Sequence, residues 1–148
     1  MQNSDQKEMQ KMQNIDELET VLYAGNLLLS SGAEIYRAEE TMHLIADAMH
    51  IKDMDAYVTN RGIFASGNVP GKGIKSRIMS VPDKELNIDK IEAVNELSRE
   101  VCSNRMDLLY LKTSLQNIAN MGEQNVAEKI LSYFLGAGCF SYIISPPP

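Results

Sequence analysis

The spacing of apolar residues changes twice along this chain, and each change limits what the fold can be. Leu18, Leu22, Gly25 and Leu29, widened by Val21 and Leu28, recur at the three-four spacing of one helix face, as do Ile35, Ala38, Met42, Ile45 and Met49. From Met54 the period drops to two: Met54, Ala56 and Val58 alternate with Asp55, Tyr57 and Thr59, the pattern of a half-buried strand. After Pro82-Asp83 the helical period returns, first in Ile91, Val94, Leu97 and Val101, then in Leu108, Leu111, Leu115 and Ile118. Strands do not alternate with helices, so the pattern predicts an α+β fold: a helical hairpin, a three-stranded antiparallel meander, then two to three helices.

Local signals set the expected boundaries. Asn14, with Glu17 three residues later, marks the start of a first helix running from Ile15 to Ser30. Gly25 on its apolar side predicts a close approach by another backbone. A second helix follows over residues 33–50. Strands are expected at 54–59, 63–66 and 74–81, with a turn at Asn60-Arg61-Gly62 and a turn-rich loop over 67–73. Asn87 can cap a third helix that Ser103-Asn104 closes, and a fourth stops at Asn120-Met121-Gly122. A fifth starts near Asn125 and carries residues 130–144, a run without a charge. A bilayer-spanning helix needs about 20 apolar residues, so this run reads either as a buried terminal helix or as part of a membrane segment.

The densest charge cluster lies at the bend between the first two helices, in residues 30–41. Gly32 is placed to stop the incoming helix, because it takes the left-handed conformation at little steric cost. Ser31 and Glu34 match the S-x-x-E capping box that would start the next. Glu34, Arg37 and Glu40 fall one turn apart. Two readings fit: a capped helix with solvated ion pairs, or a polar site lined by Arg37, Glu39 and Glu40.

At 148 residues the chain has room for one domain with a real core. The formal net charge of −6, with no basic stripe, disfavours nucleic acid as a partner. Cys102 and Cys139 lack the paired spacing of a zinc site. Residues 1–13 are polar and mixed in charge, which predicts a mobile tail rather than a secretory signal. Gly67 to Gly73 lacks the spacing and the strand-to-helix setting of a Walker loop. Glu40, His43, Asp47 and His50 could place ligands on one helix face, but no second helix repeats the motif, so a solvated face is expected there and no metal. No nucleophile elbow is present, and no catalytic residue or cofactor is assigned.

Residues 25–41, reading Gly-Asn-Leu-Leu-Leu-Ser-Ser-Gly-Ala-Glu-Ile-Tyr-Arg-Ala-Glu-Glu-Thr, resemble the opening motif of the threonine/serine exporter family of bacterial membrane proteins. Tyr57-Val58-Thr59 with Gly62-Ile63-Phe64-Ala65-Ser66 resembles that family's strand pair, and Ser76-Arg77-Ile78 its third strand. Asn87-Ile88-Asp89-Lys90 with Val94-Asn95-Glu96-Leu97-Ser98-Arg99 resembles its following helix. The likeness spans about residues 16–144, and its motif positions include Gly25, Ser31, Gly32, Gly62, Asn87 and Asn95.

The resemblance implies a soluble N-terminal domain over residues 14–124, preceding membrane helices that export small hydroxy amino acids. Residues 125–148 would then open the first spanning helix, and the chain would stop where the bundle begins. The implied partners are those helices or a partner membrane subunit, with threonine or serine as ligand and homo-oligomerisation left open. The implied location is the cell membrane, with this domain on the cytoplasmic side. In such a domain Arg37 is the candidate for the amino-acid carboxylate, since a guanidinium binds it in two-pronged fashion. Glu34, Glu39 or Glu40 would meet the ammonium, and Thr59 and Arg77 would complete a cleft between the second helix and the sheet. The alternatives are a hydrolase-like domain using Ser31, Arg37 and Glu40, and a pure subunit-assembly module.

Overall fold

The computed structural model describes residues 16–104, 107–121 and 134–135. The expected tail, the Asn14 cap, the helix from Asn125 and all but two residues of the apolar run lie outside these. Within them the α+β order stands: helices α1 (Glu17–Ser30) and α2 (Ile35–Ala48), strands β1 (Lys52–Val58), β2 (Gly62–Val69) and β3 (Gly73–Ser80), then α3 (Ile88–Asn104) and α4 (Leu108–Ala119). The strands form one antiparallel sheet in the order β1-β2-β3.

The helices cover one face of the sheet. α1 packs on β2 and β3, α2 on β1, and α3 and α4 close over the helical side. Leu18, Leu22, Leu28 and Leu29 of α1, Met42 and Ile45 of α2, and Ile63 and Val69 of β2 are fully buried where these layers meet. Full burial of one such side chain is worth roughly 1.5–3 kcal/mol, so α1, apolar over most of its surface, is the element the core forms around. Beyond it, Val94, Leu97 and Val101 of α3 and Leu111, Leu115 and Ile118 of α4 are buried at the period the sequence sets. Among the described residues no element covers the outer sheet face, and exposed Tyr57, Phe64 and Ile78 line up across it in register.

Gly25 is needed, though not for a backbone. A Cβ there would meet the Met42 side chain, with Cγ at 2.8 Å, and Ile63 Cδ1 at 3.2 Å. It is side chains from α2 and β2 that close on α1 at this point.

Three boundaries differ from the sequence reading. β2 runs through Gly67 and Asn68 to Val69, because these pair with Lys75, Ile74 and Gly73, and the loop contracts to residues 70–72. β1 begins at Lys52, with a register irregularity before Asp55 where Asp53 takes a positive φ of 52°. Such a bulge, flanked by charges, also blunts an open sheet edge. α2 ends at Ala48, and His50 adopts φ 59° so that its N–H reaches the Asp47 carbonyl at 3.0 Å and that of Ile51 reaches Ala46 at 2.9 Å. This is the left-handed helix stop usually given to glycine.

The cap of α1 is Asp16, one position before the helix. Its Oδ1 accepts from the N–H of Leu18 at 3.1 Å and, at 3.4 Å, from that of Glu19. Its other carboxylate oxygen is paired with Arg77 and lies 3.9 Å from Lys75 Nζ, both on β3. Glu17 pairs with Lys72 at 2.8 Å just beyond. One buried carboxylate thus satisfies a helix N-terminus and pairs with the basic strand beside it.

Replacing Asp16 by Ala removes the cap and its cross-layer partners, and the expected loss is about 1–3 kcal/mol, read as a lower urea midpoint. Arg77→Gln, at a half-exposed guanidinium, should cost no more than about 1 kcal/mol. Gly25→Val should cost about 1–3 kcal/mol through overpacking, with a midpoint shift and an unchanged slope.

Candidate functional site

The bend between α1 and α2 is built from backbone bonds. Gly32 takes φ 92°; its N–H donates to the Leu29 carbonyl at 3.1 Å and that of Ala33 to Leu28 at 3.0 Å. This Schellman closure uses two of the last carbonyls of α1. The Ser30 and Ser31 carbonyls are taken by the N–H groups of Glu85, at 2.8 Å, and Asn87, at 3.1 Å. Residues 82–87 therefore form a strap tied to the end of α1, with Leu86 against Gly32. Asn87 Oδ1 then accepts from the Lys90 N–H at 3.0 Å and starts α3, as its position in the sequence indicates. The strap thereby brings the first turns of α3 beside the first turn of α2.

The expected Ser31–Glu34 capping box does not form. Ser31 has near-helical dihedrals and closes α1, whereas a cap must be extended, as Glu34 is with ψ 148°. Glu34 accordingly holds the cap position of α2 without a side-chain cap bond, and its carbonyl accepts from the N–H of Arg37 and of Ala38, each at 3.1 Å.

Between α2 and α3 lies a groove of about 360 Å³. α2 contributes Arg37, and α3 contributes Glu92, Asn95, Glu96 and Arg99, with half-buried Ile91 and exposed Ile88 as its apolar lining. On α3 the polar residues fall at three- and four-residue steps, so one face presents them all. Among the described residues none of the four charges makes an ion pair. Tyr36, exposed next to Arg37, has its phenol pKa raised by hydrogen bonding to Glu34 and by that carboxylate's charge, against a lowering by Arg37. The phenol stays a neutral donor into the alkaline range.

The structure places the other expected residues as follows. Glu34 and Glu40 are exposed and Glu39 is half-buried. Thr59 and Arg77 do not line the groove. Thr59 holds the β1–β2 turn: its hydroxyl donates to the Gly62 carbonyl at 2.9 Å and accepts from the Gly62 N–H at 3.1 Å. Arg77 is bound to Asp16 at the far end of α1 from the bend. Ser31 is buried, its N–H and carbonyl both committed to the helix end. Among the described residues no group of three His, Cys, Asp or Glu side chains is placed to hold a metal.

Glu92, Asn95, Glu96 and Arg99 are the residues that a reading of apolar periods passes over. Asn95, Glu96 and Arg99 stand in the segment that resembles the family's helix, but their signal as a site is the polar stripe on α3 opposite Arg37.

Among the described residues no helix is long and apolar enough to cross a membrane. Neither the curated proteins nor the solved structures contain a match to the chain. The family model of the threonine/serine exporters (ThrE) matches residues 19–146, from α1 through the bend, sheet and later helices into the apolar run. Because that match spans most of the 148 residues, the chain belongs to the threonine/serine exporter family.

Proposed function

We propose that this chain is the soluble, N-terminal part of a threonine/serine exporter and that its α1–α2 bend meets the exported amino acid. Family membership supports the transport reading. The observation that carries the role of the bend is Arg37: a guanidinium in the family-like motif, without an ion-pair partner among the described residues, lining a groove. A guanidinium offers a carboxylate two parallel N–H donors. The acidic residues around it, Glu34, Glu39 and Glu40, repel free anions and favour ligands that also carry a positive charge.

On this reading the domain acts from the cytoplasmic side, ahead of spanning helices that begin within residues 125–148 or belong to a partner membrane subunit. Substrate would bias the bundle by as much as it prefers one arrangement of the domain over another. The strap supports such coupling, since it ties the end of α1 at Ser30 and Ser31, just ahead of the turn into α2, to Asn87 at the start of α3.

Calorimetric titration of the folded chain with threonine and with serine tests this. Heat that saturates at millimolar ligand or below is expected, and Arg37→Gln should weaken binding at least about tenfold, which is about 1.4 kcal/mol. Absence of heat from a sample whose circular dichroism shows the α+β fold overturns it.

A further inference from the structure

We propose that the α2/α3 groove holds an α-amino acid as its zwitterion and that α3 supplies half of the site. Arg37 and Arg99 would take the carboxylate, and Glu92 and Glu96 the ammonium. This rests on the reading that the bend meets the exported amino acid, and deepens it by naming the second element and the charge form of the ligand.

The first argument is charge. Two guanidinium and two carboxylate groups border one groove and sum to zero. A zwitterion enters such a site without leaving either sign uncompensated. A free carboxylate or a free amine would find one pair of charges satisfied and the other opposed.

The second argument is availability. Arg77, Lys75 and Lys72 each have a carboxylate within ion-pair distance. The groove's charges have none among the described residues, although both signs border the same cavity. Asn95, half-buried between them, likewise has no side-chain hydrogen bond among the described residues, and its amide can both donate to and accept from a ligand hydroxyl.

Size and lining agree. About 360 Å³ is near the lower end of the range for small-molecule sites. Ile91, half-buried in the lining beside exposed Ile88, gives a small apolar wall where a methyl group can rest. Charged heads, a hydroxyl partner and a small apolar wall together match a short hydroxy amino acid.

The test uses the full chain and three probes: threonine, lactate (which lacks the ammonium) and ethanolamine (which lacks the carboxylate). Threonine should bind, and neither analogue should compete with it at tenfold excess. Arg99→Gln and Glu96→Gln should each weaken threonine at least about tenfold with unchanged circular dichroism. In the unsubstituted chain, threonine should shift the side-chain N–H resonances of both Arg37 and Arg99, a readout independent of whether any variant folds. If threonine binds and shifts Arg37 while Arg99 is silent and the α3 variants bind within twofold, the α3 half of the site is overturned and the bend reading stands. If lactate competes as well as threonine, the zwitterion assignment is overturned. If threonine and serine bind nowhere on the folded chain, the bend reading itself is overturned, and this inference with it.

Discussion

The arrangement of the molecule depends on how the end of α1 is satisfied. A helix leaves its last carbonyls without intrahelical partners, and a buried end must find them elsewhere. Here the left-handed turn at Gly32 uses Leu28 and Leu29, and the strap of residues 82–87 uses Ser30 and Ser31. The second half of this solution has the larger consequence. A local turn reverses the chain, but the strap brings in a segment more than fifty residues away and begins a helix from it. The α2/α3 groove lies beside this junction because α1 cannot end without it.

At the other end of α1 the same problem is solved by a side chain. Asp16 accepts from the helix and is paired with Arg77, while Asn26 Nδ2 donates to the Ser80 carbonyl at 2.7 Å nearer the bend. α1 is therefore fixed to β3 at both ends, with Gly25 letting Met42 and Ile63 close in between. The helix and the sheet form one support, and the positions of Arg37 and of α3 are defined relative to it.

Much of this was legible in the sequence because period is a local property. The switch from three-four to two at Met54 and back after Pro82, with the turn and cap signals between, gave the order of the described helices and strands, and the strand alternation named the half-buried face of β1 correctly. What was not legible depended on distant partners. Asn14 and Asp16 are each followed three residues later by Glu, and the pairing of Asp16 with Arg77, sixty-one positions away, adds to its cap a contact that no local rule can see. Gly67 reads as a turn residue, yet it continues β2, and a Cβ there would meet Ile51 Cγ2 at 2.7 Å. The S-x-x-E pattern at Ser31 is outweighed because Ser31 already ends the preceding helix. Arg37 was identifiable as a candidate from its motif, but the company it keeps was not, since the polar face of α3 and the strap that delivers it come from another part of the chain.

The arginines separate structural from available charge. Arg77 sits against a buried carboxylate that also caps a helix, so its charge is consumed in holding α1 to β3. Releasing it for a ligand would break this cross-layer pair, a cost of up to about 1 kcal/mol at a half-exposed guanidinium that binding would first have to recover. Arg37 and Arg99 carry no such debt: exposed, they give up only water and side-chain freedom when a ligand arrives. For solvated charges close to one another without pairing, the direct interaction is worth little. On the proposed reading, a small ligand that presents both signs at once would change that balance, because charges of either sign would gain a partner for the immobilisation of a single molecule.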